Sequence, residues 1–210
     1  MGRSMRDCFL PPIPEFDAAA SLLDRAADAV LTGDHESAKK LIRDADFPEL
    51  YAFASRITGS IDPRVHWQDA TPSDVFPMGL RAKSRMPSAA TELSIYRRDG
   101  WRCRFCGSRV IAKKARVVLC TLFPSEARWG RLSSEKHCAL GSLAASLDHI
   151  IPHARGGSNE EHNLVTACTS CQFGRNQWTL EEVGFTDPRQ RAPIVDSWDG
   201  LMRLVGKLPP

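Results

Sequence analysis

The sequence predicts an α+β protein: a small mixed core held by a structural zinc, preceded by an acidic, all-helical N-terminal region. Three observations carry this. Apolar residues recur at helical spacing through the first 60 positions. A short apolar run, Ser146 to Ile151, reads as a strand that carries Asp148 and His149 side by side. Two cysteine pairs, Cys103-Arg104-Phe105-Cys106 and Cys168-Thr169-Ser170-Cys171, flank that strand.

Residues 1–14, with Pro11, Pro12 and Pro14, read as a flexible tail. From Phe16 the positions Ala19, Ala20, Leu23, Ala27, Val30 and Leu31 mark one face of a helix, which Gly33 is placed to end. Asp34 can cap a second helix carrying Ala38, Leu41 and Ile42. Asp46-Phe47-Pro48-Glu49 looks like a capping box opening a third, with Leu50, Phe53, Ala54 and Ile57 inward and Gly59 behind it. Residues 15–60 thus form a helical region without a catalytic pattern, suited to scaffolding or to contact with a protein partner. Residues 61–87 contain four prolines and end in the basic run Arg81, Lys83, Arg85, which reads as a linker. Ser88 can cap a helix through Tyr96, and Asp99-Gly100 turns the chain into a hairpin or knuckle around Cys103 and Cys106. Residues 111–146 read as a long connection with a possible strand at Val117-Val118-Leu119. A helix should start at Cys168, and Thr179 to Glu182 looks like another capped start ended by Gly184. Residues 185–210 read as an irregular extension with a turn of helix near Trp198 to Leu204.

Composition sets the class. Of the 210 residues, 42% are apolar and 25% charged, ordinary for a soluble globular protein, and no apolar run approaches a membrane span. No apolar segment follows Arg3 and Arg6 to make a signal peptide, so a cytoplasmic location is expected. The net charge of +3 is unevenly spread: up to Leu80 there are eight basic and thirteen acidic residues, a net of −5, and the remainder carries +8. A basic region suits a polyanion, because Lys and Arg release counterions from phosphates. A solvated surface gives the same count. The dense stretch Arg102, Arg104, Arg109, Lys113, Lys114 and Arg116 is the expected place for phosphate contacts.

Zinc in a structural site takes four thiolate or imidazole ligands in a tetrahedron. One CxxC turn supplies two, so Cys103, Cys106, Cys168 and Cys171 complete a shell if folding closes the 61 residues between the pairs. A redox pair is the competing reading, but redox CxxC motifs come singly beside a βαβ pattern, which is missing here. Cys8, Cys120 and Cys138 are left as free thiols. The aromatics Trp101, Phe105, Phe173 and Trp178 are expected to pack around the zinc.

Asp148 offers a hard oxygen to Mg²⁺ or Mn²⁺, and His149, titrating near neutrality, can take a proton from water. Neighbours on a regular strand face opposite ways, so the strand must end or bend here for both to serve one site. Pro152 and Gly156-Gly157 fit that. His153 and His162 read as loop residues, and His35, His66 and His137 receive no role.

The set Asp148-His149, Gly156-Gly157, Asn163-Leu164 and Cys168 to Cys171 resembles the HNH endonuclease family, in its subgroup with two CxxC pairs. The likeness spans about residues 88–184. It implies a ββα-metal core, a DNA substrate, a catalytic metal on Asp148, and His149 as the general base. It also implies that Asn163 holds the loop and orients the histidine. The family's third signature position is held here by Gln172, with Asn176 one turn further on the same helix face. Either can complete the metal shell. Arg175 is implied to touch the scissile or a neighbouring phosphate. A zinc-stabilised nucleic-acid-binding module with lapsed or partner-gated catalysis is the alternative. Oligomeric state is left open.

Overall fold

A computed structural model describes residues 5–59, 77, 79 and 84–206. Most of the linker expected over 61–87, including Arg81 and Lys83, lies outside the described residues, and His66 and residues 1–4 lie outside them too.

Three helices open the chain: α1 (Glu15–Leu31), α2 (His35–Asp44) and α3 (Pro48–Thr58). α1 buries Phe16, Ala19, Ala20, Leu23, Ala27 and Val30 of the face that the spacing marks, and Ala26 besides, while Leu31 at its end is exposed. Asp34 caps α2 by accepting from the Ser37 amide at 3.0 Å, which satisfies one of the orphan N–H groups of a helix start. α3 departs from expectation. Its first turn begins at Pro48 with no side-chain cap. Asp46 instead turns away to accept from the Cys138 amide at 2.6 Å and to pair with Arg128. It therefore braces a helix almost a hundred residues downstream, α6 (Cys138–Ser142), rather than its own.

Ser88 caps α4 (Ala89–Arg98) through the Thr91 amide at 3.2 Å. The connection after the first knuckle is not a strand. It is α5 (Lys113–Leu122), which buries Ala115, Val118 and Leu119. That spacing is helical, and it overrides the β propensity of two adjacent valines.

The sheet has two antiparallel strands, β1 (Ala145–His149) and β2 (Leu164–Cys168), in register from Ala145↔Cys168 to His149↔Leu164. α7 (Thr169–Arg175) follows β2 directly and packs across both strands. The described residues are thus mixed helix with a small two-stranded sheet. Thr179 and Glu182 exchange the expected capping bonds, at 2.8 and 3.2 Å, but close only a turn before Gly184.

The ends of the chain belong to the core. Residues 5–14, expected as a loose tail, are docked: Arg6 bridges Phe185 in parallel, and Phe9 is buried with its ring 4.7 Å from that of Phe185. Near the C-terminus Trp198 is buried and donates to the Val110 carbonyl at 2.9 Å, and Arg203 pairs with Asp24 and Asp28 of α1. The buried residues form one continuous cluster from Phe9 to Leu204. No helix among the described residues is long and apolar enough to cross a membrane.

Candidate active site

The two cysteine knuckles meet. The four Sγ atoms of Cys103, Cys106, Cys168 and Cys171 lie within 4.8 Å of one another, and Cys106 and Cys168 are 3.7 Å apart. Tetrahedral Zn–S bonds of about 2.3 Å put sulfurs roughly 3.8 Å apart, so the donor set and its spacing fit zinc. Two backbone devices close the gap in sequence. The Arg104 amide donates to the Thr166 carbonyl at 2.8 Å, and the Thr166 amide donates to the buried Asp99 carboxylate at 2.7 Å. The first knuckle is thereby docked along the free edge of β2. Hydrogen bonds from Cys103, Cys168 and Cys171 hold the Cys106 thiol well below its ordinary pKa. Trp101 and Phe105 are buried beside it and Trp178 is half-buried, but Phe173 is 61% exposed, on the outer face of α7.

At the other end of β1, Asp148, His149, Gln172 and Asn176 line one cleft of about 230 Å³, together with Pro152, His153 and Arg85. The strand ends at His149, which lets two adjacent side chains serve one cavity. His149 is buried, and its Nε2 lies 2.9 Å from Oδ1 of Asn159. The amide of Asn159 is oriented by its own Nδ2, which donates to the Ser84 carbonyl at 2.6 Å. Its oxygen therefore accepts from Nε2–H, and the lone pair of the imidazole resides on Nδ1. Burial lowers the pKa of His149 below the ordinary 6.5, with the Asn159 hydrogen bond and Asp148 opposing, so the ring is neutral at neutral pH. The sequence alone assigns Asn159 no role; its place in the Gly-Gly-Ser-Asn loop is the one signal that points to it.

Asn163 ties that loop. Its Oδ1 accepts from the Ile151 amide at 2.8 Å, and its Nδ2 donates to the carbonyls of Ile151 at 3.1 Å and Ser158 at 2.9 Å. The two glycines make room. Gly156 has φ +85°, and a Cβ on Gly157 would stand 1.7 Å from the Ile151 carbonyl oxygen.

Arg175 is placed otherwise than the sequence suggested. Its side chain is fully buried, so it faces no phosphate. Its Nε donates to Oδ2 of Asp148 at 2.7 Å and its Nη2 to Oδ1 at 2.5 Å, a bidentate pair. The guanidinium also donates to the carbonyls of His149 and Trp178. It welds α7 to the end of β1. Asp148 is correspondingly a paired carboxylate, with one further lone pair on each oxygen directed elsewhere.

The basic stretch is likewise dispersed. Arg102 pairs with Asp196 at 2.6 Å, and Arg104, with its side chain only 8% exposed, donates to the carbonyls of Pro188 and Arg191. Both hold the C-terminal extension rather than presenting charge to solvent. Lys113 and Lys114 are exposed at the start of α5 and do not line the His149 cleft. His137, given no role from the sequence, is fully buried: Nε2 lies 2.8 Å from the Ile42 carbonyl, and Nδ1 accepts from the Leu140 amide at 3.3 Å.

Residues 139–183 match the family model described as HNH endonuclease. That segment contains β1, the Asn163 loop, β2, α7 and the second knuckle. No curated protein and no solved structure matched the chain.

Proposed function

Because residues 139–183 carry the HNH endonuclease signature, we propose that this chain is a metal-dependent endonuclease that hydrolyses phosphodiester bonds in DNA. In this reading β1, β2 and α7 are its ββα-metal core, zinc on the four cysteines is structural, and the site lies in the cleft beside His149. The observation that carries the reading is the state of His149: neutral, with Nε2–H held by Asn159 and a free lone pair on Nδ1, at the mouth of a cleft lined by oxygen donors.

The donor chemistry fits a hard divalent cation. Asp148, with Gln172 or Asn176, would hold Mg²⁺ or Mn²⁺ through oxygen. Bound there, such an ion supplies charge for the phosphate and for the departing 3′ oxygen. His149 Nδ1 takes the proton of a water whose oxygen attacks phosphorus, while the bond to the 3′ oxygen breaks and a 5′ phosphate remains. Asn163 fixes the loop, and Asn159 fixes the ring so that Nδ1 meets the water. Arg175 positions Asp148 and touches no substrate.

A second reading is a zinc-stabilised nucleic-acid-binding module, and the bidentate grip of Arg175 on both Asp148 oxygens favours it. Plasmid nicking with Mg²⁺ or Mn²⁺ separates the two. Wild type nicks, and His149→Ala loses about 10²–10⁴-fold, the usual share of a general base. If both are inactive in every metal while DNA is still bound, the second reading holds. Equal cutting by both would remove His149 from the role of base.

A further inference from the structure

A larger cleft, of about 820 Å³, opens on the other side of α7 and is not used by the chemistry above. Ala145 and Ser146 of β1 line it, as do Thr169, Ser170 and Phe173 of α7, whereas Leu147 to His149, Gln172 and Asn176 line the His149 cleft. The two cavities are therefore consecutive along one strand and one helix. Tyr51, Ser55 and Thr58 of α3 line it as well, and the remaining wall comes from α5 and the loop before α6. There the guanidinium of Arg116 lies 3.8 Å from the centre of the Trp129 ring, and Nζ of Lys136 lies 5.0 Å from it.

Among the described residues the charge lining this cleft has one sign: Arg116 and Lys136 line it, and no aspartate or glutamate does. Neither cation has an ion-pair partner among the described residues. The nearby acids are committed: Glu135 accepts from the Leu132 amide, Asp46 pairs with Arg128, and Glu126 pairs with Arg43. The indole holds both cations by cation–π attraction without neutralising them. Ser170 is an independent sign of a missing polar partner. It is fully buried and lines the cleft, and its Oγ has no hydrogen-bond partner among the described residues. A buried hydroxyl left unpaired costs roughly 1–3 kcal/mol, so such atoms usually meet a water or a ligand.

We propose that the Trp129 cleft is a second phosphate-binding subsite, in which Arg116 and Lys136 grip the DNA backbone a few nucleotides from the bond cut beside His149. The proposal rests on the nuclease reading for its substrate. The spacing agrees with it. Ser146 and His149 are three residues apart on β1, about 10 Å at the rise of a strand. The two clefts are thus close enough for one stretch of DNA backbone to cross both. Phe173, exposed on α7, stands at the rim of the Trp129 cleft and offers an apolar face to the sugars passing over it.

The test uses the full chain and a fluorescein-labelled DNA duplex, with anisotropy read in EDTA over a range of salt. Arg116→Ala with Lys136→Ala removes two phosphate contacts. The slope of log K against log salt falls by about 1.8, and Kd rises about 30-fold at 0.15 M salt. Arg116→Lys retains the slope, which separates charge from packing on Trp129. Thermal melting establishes that each variant is folded. An unchanged slope and Kd in a folded double variant overturns the subsite, whatever the wild type does in nicking. Reduced binding by that variant sustains it even if no metal supports cutting, in which case the nuclease reading alone falls. If wild type binds polyglutamate through these residues and leaves DNA unbound, the cleft serves an acidic protein and the proposal fails.

Discussion

Arg175 and Asp148 form a buried bidentate pair at the end of β1. Both are buried, and both carboxylate oxygens are engaged. Removing one partner leaves a buried charge unmatched, which costs about 3–5 kcal/mol. Arg175→Leu should therefore lower stability by that amount in urea unfolding. Adding Asp148→Asn should restore part of it, because the orphaned charge is gone. A loss below about 1 kcal/mol for the single variant would mean that the pair is solvated in solution. Asn176 poses the complementary case. Its backbone sits at φ 50° and ψ −115°, which glycine tolerates far better than any residue with a Cβ. Such strain at the lip of the cleft suggests that the amide is retained for use. Asn176→Gly should raise the melting temperature, a gain of about 1 kcal/mol, and lower Mn²⁺-supported nicking if Asn176 completes the metal shell. Gln172→Ala should then leave nicking largely intact. The reverse pattern assigns the shell to Gln172.

Among elements, those with local signals were legible in the sequence and those with distant partners were not. α1, α2 and α4 follow from apolar spacing and from Asp34 and Ser88, whose capping partners lie three residues away. β1 and both knuckles are legible in local pattern and cysteine spacing, whereas the loop role of Asn163 follows only from the family resemblance. α5 is harder to read, because two adjacent valines carry β propensity that its helical burial pattern overrides. Asp46, Arg102, Arg104 and Arg175 each find a partner across the fold, so no local pattern distinguishes the cap expected of Asp46 or the phosphate contacts expected of the arginines from the pairs they make. His137 was silent for the same reason. It joins α2 to α6, and its tautomer is fixed, with Nε2–H donating to the Ile42 carbonyl and Nδ1 accepting from Leu140. Burial lowers its pKa from 6.5, opposed by the Ile42 bond and by Asp46 at 3.7 Å, with Arg128 adding to the lowering. The unfolded chain thus takes up this proton at a higher pH than the fold does. The contribution of His137 is complete above about pH 6.5 and is lost as pH falls through the lowered value. Melting of wild type and His137→Gln between about pH 5 and 8 should show a gap in Tm that narrows on acidification. A gap independent of pH would show that His137 does not titrate in this window.

At the scale of the molecule, the arrangement would make a zinc held by the four cysteines a condition of the whole fold and not of the sheet alone. Two strands of five residues each form a sheet too small to be stable without support. Its support comes from α7 on one face and from the first knuckle along the edge of β2, and the four cysteines join these pieces. α3 packs on α6 and α7, α1 packs on the C-terminal turn at Met202–Leu204, and the buried residues are continuous between them. Loss of the cluster should therefore propagate. Zinc binding free energy in such sites appears directly as folding free energy. The purified chain should hold one zinc by elemental analysis. Cys103→Ser or Cys168→Ser should lower both the zinc content and the melting temperature. Calorimetry should show one transition moved downward, since the N-terminal helices share their core with the zinc end. Two transitions in the cysteine variants, one melting like wild type, would show that α1 to α3 fold apart from the rest. Unchanged melting would remove zinc from any structural role. His149→Ala lies in the same basin but outside the cluster, so it should keep its zinc and its single transition while losing the nicking activity proposed for the cleft.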